Sequence, residues 1–358
     1  MSGEARQDFA FAFLSILFEG APFILLGTLI SGFIDIYMPP GMMDRFLPKN
    51  KNLAVVMAAL LGAVFPVCEC AVVPVIRRLV RKGLPISCAL TYMLAAPIVN
   101  PITAFSTWKA FTNTSVLVDG HAYSGSMVMT ASRLGLGFAV AVLVGLVVAR
   151  LPMVWVLRKR LLDELANEKP APVAVVACDD HHDHSCCGHS HGHDHHHHEH
   201  SHHHDHSHHH DHKAPVADNR LVAALRSSLK DFIDVGVYFS IGVSITALFN
   251  TGIAPGAAWL DQLANQHIIA PAALMGLAFI LSLCSTSDAF IAATLDKFTY
   301  GAKLAFLVFG PMFDLKLIFL YQSVMNKKFI AYLAIAVFLL IGVSAIYFQW
   351  FLNSAHTP

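Results

Sequence analysis

Long apolar runs recur along this chain, and they constrain its fold more than any other feature of the sequence. Eight segments are apolar enough to cross a bilayer as helices, for which roughly 20 residues are needed. Charged residues make up 13% of the 358 residues, about half the share found in soluble domains. The sequence therefore predicts an all-α polytopic membrane protein. The segments cover residues 9–36, 53–76, 84–108, 128–150, 230–252, 268–295, 301–325 and 329–352.

A polar stretch divides these segments into two groups of four. It covers residues 158–229 and contains a low-complexity, histidine-rich tract over 181–212. Because the tract has no apolar residues with which to build a core, we expect it to be largely disordered without metal. The expected organisation is a first membrane half over 1–157, a His-rich loop over 158–229 and a second membrane half over 230–358.

The two membrane halves resemble each other in sequence, which indicates an internal duplication. Residues aligned without gaps at an offset of 214 are Cys70 with Cys284, Pro97 with Pro311, and Asn100 with Asp314. Four spans in each half predict two halves of parallel orientation, an arrangement that transporters use. A re-entrant segment in each half would change that orientation.

The placement of lysine and arginine predicts how the chain is oriented. With eight spans, one face receives both termini and the long loop, and it carries about sixteen basic residues against about six on the other face. Cytoplasmic segments of membrane proteins are enriched in these residues. We therefore expect both termini and the His-rich loop on the cytoplasmic side.

Helix breakers and polar residues are concentrated at matching places in the two halves. A broken helix leaves backbone groups that lipid cannot satisfy, so the break must face protein or a watery cavity. Interrupted segments at corresponding positions of two halves indicate a transporter's binding site. The predicted breaks are at Pro66, Pro74, Pro97, Pro101 and Pro311. The predicted transport residues are Cys68, Glu69, Cys70, Asn100, Cys284, Ser287, Asp288 and Asp314.

Three cysteines within the apolar segments are candidate metal ligands. Cys68 and Cys70 would point apart on a regular helix, but in unwound backbone they could converge on one ion. Cys284 of the second half would supply a third sulfur. Thiolates are soft ligands that suit Cu(I), Zn(II) or trivalent arsenic. The alternative is that each cysteine is a small apolar residue of the core, the interpretation that we favour for Cys88.

Carboxylates within apolar segments are costly and usually serve a function. Glu69, Asp288 and Asp314 belong to this group, and each is expected to contact cargo or to exchange protons with it. The alternative is a structural role, for example an ion pair between Asp314 and Lys316.

The central tract contains nineteen histidines and three cysteines within residues 178–212. Neutral imidazole and thiolate are ligands for Zn, Cu and Ni. Such a density predicts many overlapping weak sites that raise the local metal concentration, with affinity falling as the histidines protonate. The predicted loop ligands are Cys178, His181, His182, His184, Cys186, Cys187, His189, His191, His193, His195, His196, His197, His198 and His200.

The segment CECAVVPVIRRLVRKGLPISCALTYMLAAPIVNP, which begins at Cys68, resembles the signature of a family of predicted permeases. That family includes the organoarsenical permeases. The combination of this signature with a His-rich central loop resembles the branch of the family described as Cu/Zn efflux transporters. The resemblance implies a bacterial inner-membrane exporter with two repeated halves. It also implies a cargo-contacting role for Cys68 and Cys70, which fall on the family's cysteine motif.

The sequence favours a secondary exporter of Cu or Zn, with a permease for trivalent organoarsenicals as the alternative. No G-x-x-x-x-G-K-[ST] phosphate-binding motif is present, so an ion gradient, a partner or the cargo's own gradient must supply the energy. A thiol oxidoreductase is disfavoured because C-x-x-C spacing is absent, and a sensor would need an output domain.

We expect the protein not to be an enzyme and to have no permanently bound cofactor. Cu or Zn would be both the transported ion and the ion bound by the loop. The expected partners are the metal ion, the lipid bilayer and a cytoplasmic metal donor, without nucleic acid.

Overall fold

The computed structural model describes residues 3–38, 47–48, 50–64, 68–118, 121–159, 161–163, 217–253, 266 and 268–354. Within these residues the chain is mostly helical. The first part contains α1 (Gly3–Tyr37), α2 (Lys51–Val64), α3 (Glu69–Arg81), α4 (Ile86–Ala95), α5 (Pro101–Ala110), β1 (Ser115–Val118), β2 (His121–Ser124), α6 (Gly125–Val148) and α7 (Met153–Val156). The second part contains α8 (Ala217–Ile253), α9 (Ile269–Leu281), α10 (Ser287–Thr294), α11 (Tyr300–Met312), α12 (Leu315–Tyr321) and α13 (Lys327–Ser354).

The helices confirm the predicted class, an all-α polytopic membrane protein. Five stretches of the described chain are long and apolar enough to cross a bilayer: Arg6–Tyr37, Gly125–Val148, Leu221–Leu248, Tyr300–Tyr321 and Lys327–Ser354. The predicted segments at 53–76, 84–108, 268–295 and 301–325 each consist of two shorter helices instead of one. Helix α8 begins inside the predicted loop of 158–229. The antiparallel pair β1–β2 connects α5 to α6.

Two of the predicted helix breaks lie between α4 and α5. Helix α4 ends at Ala95 and α5 begins at Pro101, so Pro97 falls within the break. Pro101 occupies the first helical position, where its missing N–H leaves no hydrogen bond unmade. Sequence reasoning therefore located this interruption correctly.

The other predicted breaks have different outcomes. Pro311 lies in the last turn of α11, and the break follows immediately at residues 313–314. The predicted break at Pro74 is wrong, since α3 continues through this proline to Arg81. Membrane helices tolerate an internal proline where neighbouring groups satisfy the freed backbone atoms. Pro66 lies outside the described residues.

Helices α1 and α3 run in the same direction, whereas α1 and α8 run in opposite directions. Gly27 of α1 lies against Ala71 of α3, and Asp35, further along α1, accepts a hydrogen bond from Arg78, further along α3. Residue numbers therefore increase in the same direction along both helices. Towards α8, by contrast, Gly20 meets Phe239. Asp35, fifteen residues later, accepts a hydrogen bond from Ser227, so positions on α8 decrease as those on α1 increase.

Helices α2 and α3 form a re-entrant hairpin. Gly62 near the end of α2 packs against Ala96, which directly follows α4, and Val55 and Thr91 both lie against Gly145 of α6. Helix α2 therefore runs parallel to α4. Only the four residues 82–85 join α3 to α4, and the two helices pack against each other, so the chain reverses its direction between them. Helices α2 and α3 therefore run in opposite directions. The chain enters the bundle along α2 and returns along α3 to the same end.

The second half contains a corresponding hairpin formed by α9 and α10. Gly310 of α11 packs against Ala278 of α9, as Gly62 packs against Ala96 in the first half. Residues 295–299 join α10 to α11. In each half, the hairpin is followed by a span that is broken into two helices, and this span packs along the last long helix of its half. In the first half α4 and α5 pack along α6, and in the second half α11 packs along α13.

The two halves therefore have inverted orientations, since α1 and α8, which begin them, are antiparallel. Inverted repeats with discontinuous helices are a common transporter architecture. This differs from the parallel arrangement expected from four full spans per half, and the re-entrant hairpins are the reason, because each hairpin returns to the end from which it entered.

The two ends of the helix bundle are distinct as a result. The described chain stops at residue 163 and resumes at 217 at one end, which we call the loop end. Helix α1 begins and α13 finishes at the opposite end, which we call the terminal end, where Gly301 contacts Ala345 and Gln349. The expected placement of both termini and the loop on one face therefore does not hold for the described chain.

Candidate functional site

A small central cavity lies where the two re-entrant hairpins meet α1 and α8. Four apolar positions, Ile16, Gly20, Phe23 and Phe239, form one wall. The polar and ionisable residues of the cavity are Glu19, Cys68, Glu69, Cys70, Cys284 and Lys316. Both halves of the chain therefore contribute chemically reactive side chains to one cavity, and four of the predicted transport residues lie together there.

The first hairpin places Cys68, Glu69 and Cys70 at the cavity. Cys68 has extended backbone dihedral angles (φ −69°, ψ 162°) at the position before α3, and its carbonyl oxygen accepts hydrogen bonds from Ala71 and Val72. Cys68 is half-buried, whereas Cys70, in the first turn of α3, is buried. Because Cys68 precedes the helix, both thiols can line one cavity despite their i, i+2 spacing.

The second hairpin places Cys284 at the cavity through an irregular segment, residues 282–286. Helix α9 ends at Leu281, and the φ of 49° at the next residue, Ser282, lies in the left-handed region, a conformation that costs a non-glycine residue about 1 kcal/mol or more. This geometry lets the Ser282 carbonyl accept a hydrogen bond of 2.7 Å from Nζ of Lys316. The Cys284 thiol lies 3.5 Å from the Thr286 hydroxyl.

Lys316 is a buried cation between two carboxylates. Its Nζ lies 3.5 Å from Oε1 of Glu69 and 3.2 Å from Oδ2 of Asp314. Glu69 is 2% exposed and Lys316 is 4% exposed, so these charges compensate one another in a region of low dielectric constant. Oε2 of Glu69 receives no hydrogen bond, whereas Oδ2 of Asp314 is ion-paired with Lys316. Glu69, which lines the cavity, therefore has one acceptor oxygen without a partner.

Asp314 and Asn100 occupy equivalent places in the two halves. Each residue directly precedes the helix that follows a break. Each side chain accepts a hydrogen bond from the backbone N–H of the residue three positions later. Asn100 also donates to the carbonyl oxygen of Ala96 at 3.0 Å. All of its hydrogen bonds thus remain within its own break, and it does not line the central cavity.

Asp288 and Ser287 lie at the start of α10, behind the cavity. Both carboxylate oxygens of Asp288 accept hydrogen bonds from Arg133 of α6, at 3.0 and 2.8 Å. The pair is nearly inaccessible to solvent, so Asp288 is engaged with Arg133 rather than directed at the cavity. Ser287 donates a hydrogen bond of 3.3 Å to Glu19, which does line it.

The predicted metal ligands fall into two groups. Cys68, Cys70 and Cys284 line the central cavity. Within the described part of the chain, however, no three His, Cys, Asp or Glu side chains are arranged to hold a metal ion. The predicted loop ligands from Cys178 to His200 lie outside the described residues.

Two cavity residues were underrated by sequence reasoning. Lys316 was considered only as a structural partner of Asp314, although a lysine in an apolar segment is itself costly and indicates function. Glu19 is not among the predicted transport residues, but it lies midway along α1, beside Gly20, which contacts Phe239 of the antiparallel α8. A signal for Glu19 is present in the sequence, because an ungapped alignment of the start of the two halves, at an offset of 215, pairs it with Asp234.

This architecture defines a class of protein. Two inverted halves, each with a re-entrant hairpin and a broken span, bring discontinuous helices to a common cavity within the bundle. Such an arrangement is typical of membrane transporters, whose binding sites lie between repeats where helices are interrupted. We conclude that the chain is a polytopic membrane protein of the transporter class.

A family model described as a predicted permease matches residues 7–349, and the chain belongs to this family. UPF0718 protein YcgR of Bacillus subtilis is 33% identical over 319 residues, which cover 89% of both chains. A Streptococcus mutans protein, named as a subunit of a two-component membrane permease complex, is 30% identical over 89% of this chain and 87% of its own. UPF0718 protein MJ0584 of Methanocaldococcus jannaschii is 26% identical over 35% of this chain and 33% of its own. No solved structure matches significantly.

Proposed function

We propose that this protein is a secondary transporter that exports a soft or borderline transition-metal ion, Cu or Zn, from the cytoplasm through the central cavity. Cys68 and Cys284 contact the ion, with Cys70 beside them and Glu69 as the nearest carboxylate. The observation that carries the proposal is that these thiols, from opposite halves of the chain, line one cavity. Thiolates select such metals over the hard cations that are abundant in cells.

The charges around the cavity favour a cationic cargo. Glu19 and Glu69 line the cavity, and Asp314 lies directly behind it, against the single lysine Lys316. A bound cation would compete with Lys316 for Glu69 and would supply a partner for Oε2 of Glu69, which has no hydrogen bond. Lys316 therefore acts as the internal counter-charge while no cargo is bound, which avoids leaving a buried carboxylate uncompensated.

The distribution of basic residues supports a cytoplasmic loop end. Cytoplasmic segments are enriched in lysine and arginine. Basic residues of the described chain near the loop end are Lys51, Arg77, Arg78, Arg81, Lys82, Arg150, Arg158, Lys159, Arg226, Lys230, Lys327 and Lys328. Those near the terminal end are Arg6, Lys109, Lys297 and Lys303. In this orientation the His-rich loop is cytoplasmic, as expected from the sequence, and both termini are on the opposite face of the membrane.

The loop has a collecting role in this proposal. Its cysteines and histidines from Cys178 to His200 capture metal, from solution or from a cytoplasmic donor, next to the end where cargo enters. Weak, numerous imidazole sites release ions readily, so they raise the local concentration without retaining the cargo. A relative is named as part of a two-component complex, so a second subunit is the alternative source of driving force to an ion gradient.

Trivalent organoarsenicals are the second candidate cargo. The observation that favours them is the lack, among the described residues, of a cluster of three metal-binding side chains. A monomethyl trivalent arsenical needs only two thiolates, which Cys68 and Cys284 can supply. In that case the His-rich loop would not contribute to transport, because arsenic prefers sulfur to imidazole.

Transport by the purified chain in proteoliposomes tests the proposal. Cu(I), Zn(II) and trivalent methylarsenite are offered separately to the intact protein, to Cys68→Ser/Cys284→Ser, and to a deletion of 181–212. We expect the double variant to lose at least about tenfold in transport rate, because a hydroxyl is a poor ligand for soft ions. The deletion should lower the rate only at low metal concentration.

Cys88→Ser is the matched control, since Cys88 is buried within α4 and does not line the cavity. Its rate should equal that of the intact protein. Full-rate transport by the double serine variant would show that the thiols do not carry cargo. Transport of methylarsenite alone would identify the second candidate as correct, and transport that requires an added membrane subunit would replace the secondary mechanism.

A further inference from the structure

Arg133 of α6 holds the part of the second hairpin that carries Cys284. We propose that Arg133 is a positioning residue for the cargo site: it does not contact cargo, but it fixes the segment 282–286 in the geometry that presents the Cys284 thiol to the cavity. This inference rests on the proposed transport function for its biological meaning. Its structural content can be tested without transport.

Arg133 contacts two residues of the second hairpin that follow Cys284 closely in the chain. One guanidinium nitrogen donates to the Ser285 carbonyl oxygen at 2.9 Å and to both oxygens of Asp288. The other terminal nitrogen donates to the Thr107 hydroxyl of α5 at 2.8 Å. Arg133 is 1% exposed. A single buried side chain of the first half thus holds two residues of the second hairpin.

Asp288 links this ion pair to Cys284 itself. The backbone N–H of Asp288 donates to the Cys284 carbonyl oxygen at 3.0 Å, and the N–H of Ser287 donates to the same oxygen at 3.0 Å. The backbone around Cys284 is irregular, and Ser285 and Asp288 are each 2% exposed, so water has little access to replace a hydrogen bond lost at these two residues. Loss of Arg133 would leave the Asp288 carboxylate and the Ser285 carbonyl without this donor, so the segment would have to rearrange.

A reciprocal relation between the halves supports a specific role rather than general packing. Lys316 of the second half pairs with Glu69, the residue after Cys68 in the first hairpin. Arg133 of the first half pairs with Asp288, four residues after Cys284 in the second hairpin. Cys68 and Cys284 are therefore each followed closely by a carboxylate that is held by a cation from the other half. Only the Lys316 pair borders the cavity, which leaves Arg133 as an anchor.

The alkylation rate of Cys284 reports its presentation directly. We would prepare two variants of the full chain that each retain one cysteine, Cys284 or Cys68, with the other six replaced by serine. Arg133→Gln, Arg133→Lys and Asp288→Asn are introduced into both, and N-ethylmaleimide modification is followed in proteoliposomes by mass spectrometry. Lys109→Gln, an exposed cation on α5, is the control. Thermal unfolding midpoints identify variants that fold, and any one of the three that folds suffices for the test.

We expect Arg133→Gln and Asp288→Asn to change the rate at Cys284 by at least about tenfold, because breaking a buried ion pair opens the structure locally. The rate at Cys68 should change less than twofold, and Arg133→Lys should fall between Arg133→Gln and the parent at Cys284. A Cys284 rate within twofold of the parent would overturn the inference, as would equal changes at Cys68, which would indicate general loosening.

Transport measurements on the same substitutions in the full-cysteine chain separate this inference from the proposed function. With Cu(I) as the probe, a displaced thiol should raise KM more than it lowers the maximal rate. If the alkylation result holds but no variant or parent transports Cu(I), Zn(II) or methylarsenite, the positioning role stands and the cargo assignment fails. A maximal rate that falls with unchanged KM would contradict positioning of a cargo ligand.

Discussion

Asn100 and Asp314 cap two helices in the same way, 214 positions apart along the chain. Asn100 accepts a hydrogen bond from the Thr103 N–H at 2.9 Å, and Asp314 accepts one from the Leu317 N–H at 2.7 Å. The two positions differ in charge, however, and only Asp314 lies next to a buried cation, Lys316. The two halves therefore share a helix cap, and only the cap of the second half also carries a charge next to a buried cation.

Substitutions at the two caps should separate stability from transport. Asn100→Ala removes a cap and should lower the free energy of unfolding by about 1 kcal/mol, with little change in KM for the cargo. Asp314→Asn keeps a good capping residue but removes the charge beside Lys316, so stability should be nearly preserved while KM rises. Thermal unfolding in detergent and vesicle uptake measure the two effects. Unchanged uptake by Asp314→Asn would restrict this carboxylate to capping.

The sequence contained enough information to locate the site but not to orient the halves. The offset of 214 paired Cys70 with Cys284, and the structure places both on one cavity. The break at Pro97 was also readable, since two prolines and Asn100 interrupt an apolar run. These signals are local, because proline and polar residues affect the helix in which they occur.

The re-entrant hairpins could not be recognised in the same way. Helices α2 and α3 together are as long and apolar as a single span, so hydropathy cannot distinguish a chain that continues across the membrane from one that turns back. Only the contacts of Gly62 with Ala96, and of Asp35 with Arg78, reveal the direction of each helix. A count of four full spans per half predicts parallel halves, whereas the hairpins make the halves inverted. The same count puts the termini on the face of the His-rich loop, whereas the hairpins put them at the opposite end of the bundle.

The close approach of α8 to Lys316 should make Gly242 intolerant of substitution. A β-carbon at this position would lie 2.9 Å from the Lys316 Cα atom, so Gly242→Ala must push α12 away from α8. We expect a lower unfolding midpoint and weaker cargo binding, because the Lys316 ammonium would move relative to Glu69.

Gly236→Ala is the matched control on the same helix. A β-carbon there would have no neighbour within 4 Å, and alanine is the better helix former by about 1 kcal/mol. This variant should be as stable as the parent or slightly more stable. If both glycine substitutions have the same effect on the midpoint and on binding, helix propensity rather than the approach to Lys316 explains the result.

A charge network anchors the first hairpin near the loop end. Arg78 of α3 donates to Asp231 of α8 and to Asp35 of α1, both at 2.8 Å. Arg78→Gln would leave Asp231 buried with a hydrogen bond from the Ser31 hydroxyl but without its cationic partner, and breaking such a pair costs about 3–5 kcal/mol. We therefore expect a large fall in the unfolding midpoint in detergent.

The double variant Arg78→Gln/Asp231→Asn provides a check on that explanation. It removes the uncompensated carboxylate, so part of the lost stability should return. Lys328→Gln, an exposed cation at the same end, should change stability by no more than about 0.5 kcal/mol. A double variant no more stable than Arg78→Gln would show that packing of the guanidinium, rather than its charge, stabilises the hairpin.

The inverted arrangement makes a prediction about which residues face the outside of the cell. In a chain without native cysteines, single cysteines at Gln266 and Asp296 mark the terminal end, and those at Lys328 and Asn52 mark the loop end. A membrane-impermeant maleimide added to intact cells should label the first two and should reach the other two only after permeabilisation, because the basic loop end is cytoplasmic. The opposite pattern would reverse the orientation but preserve the architecture. Labelling of Gln266 and Asp296 from opposite sides would contradict the re-entrant hairpins, because full spans in place of the α9–α10 hairpin put residues 266 and 296 on opposite faces.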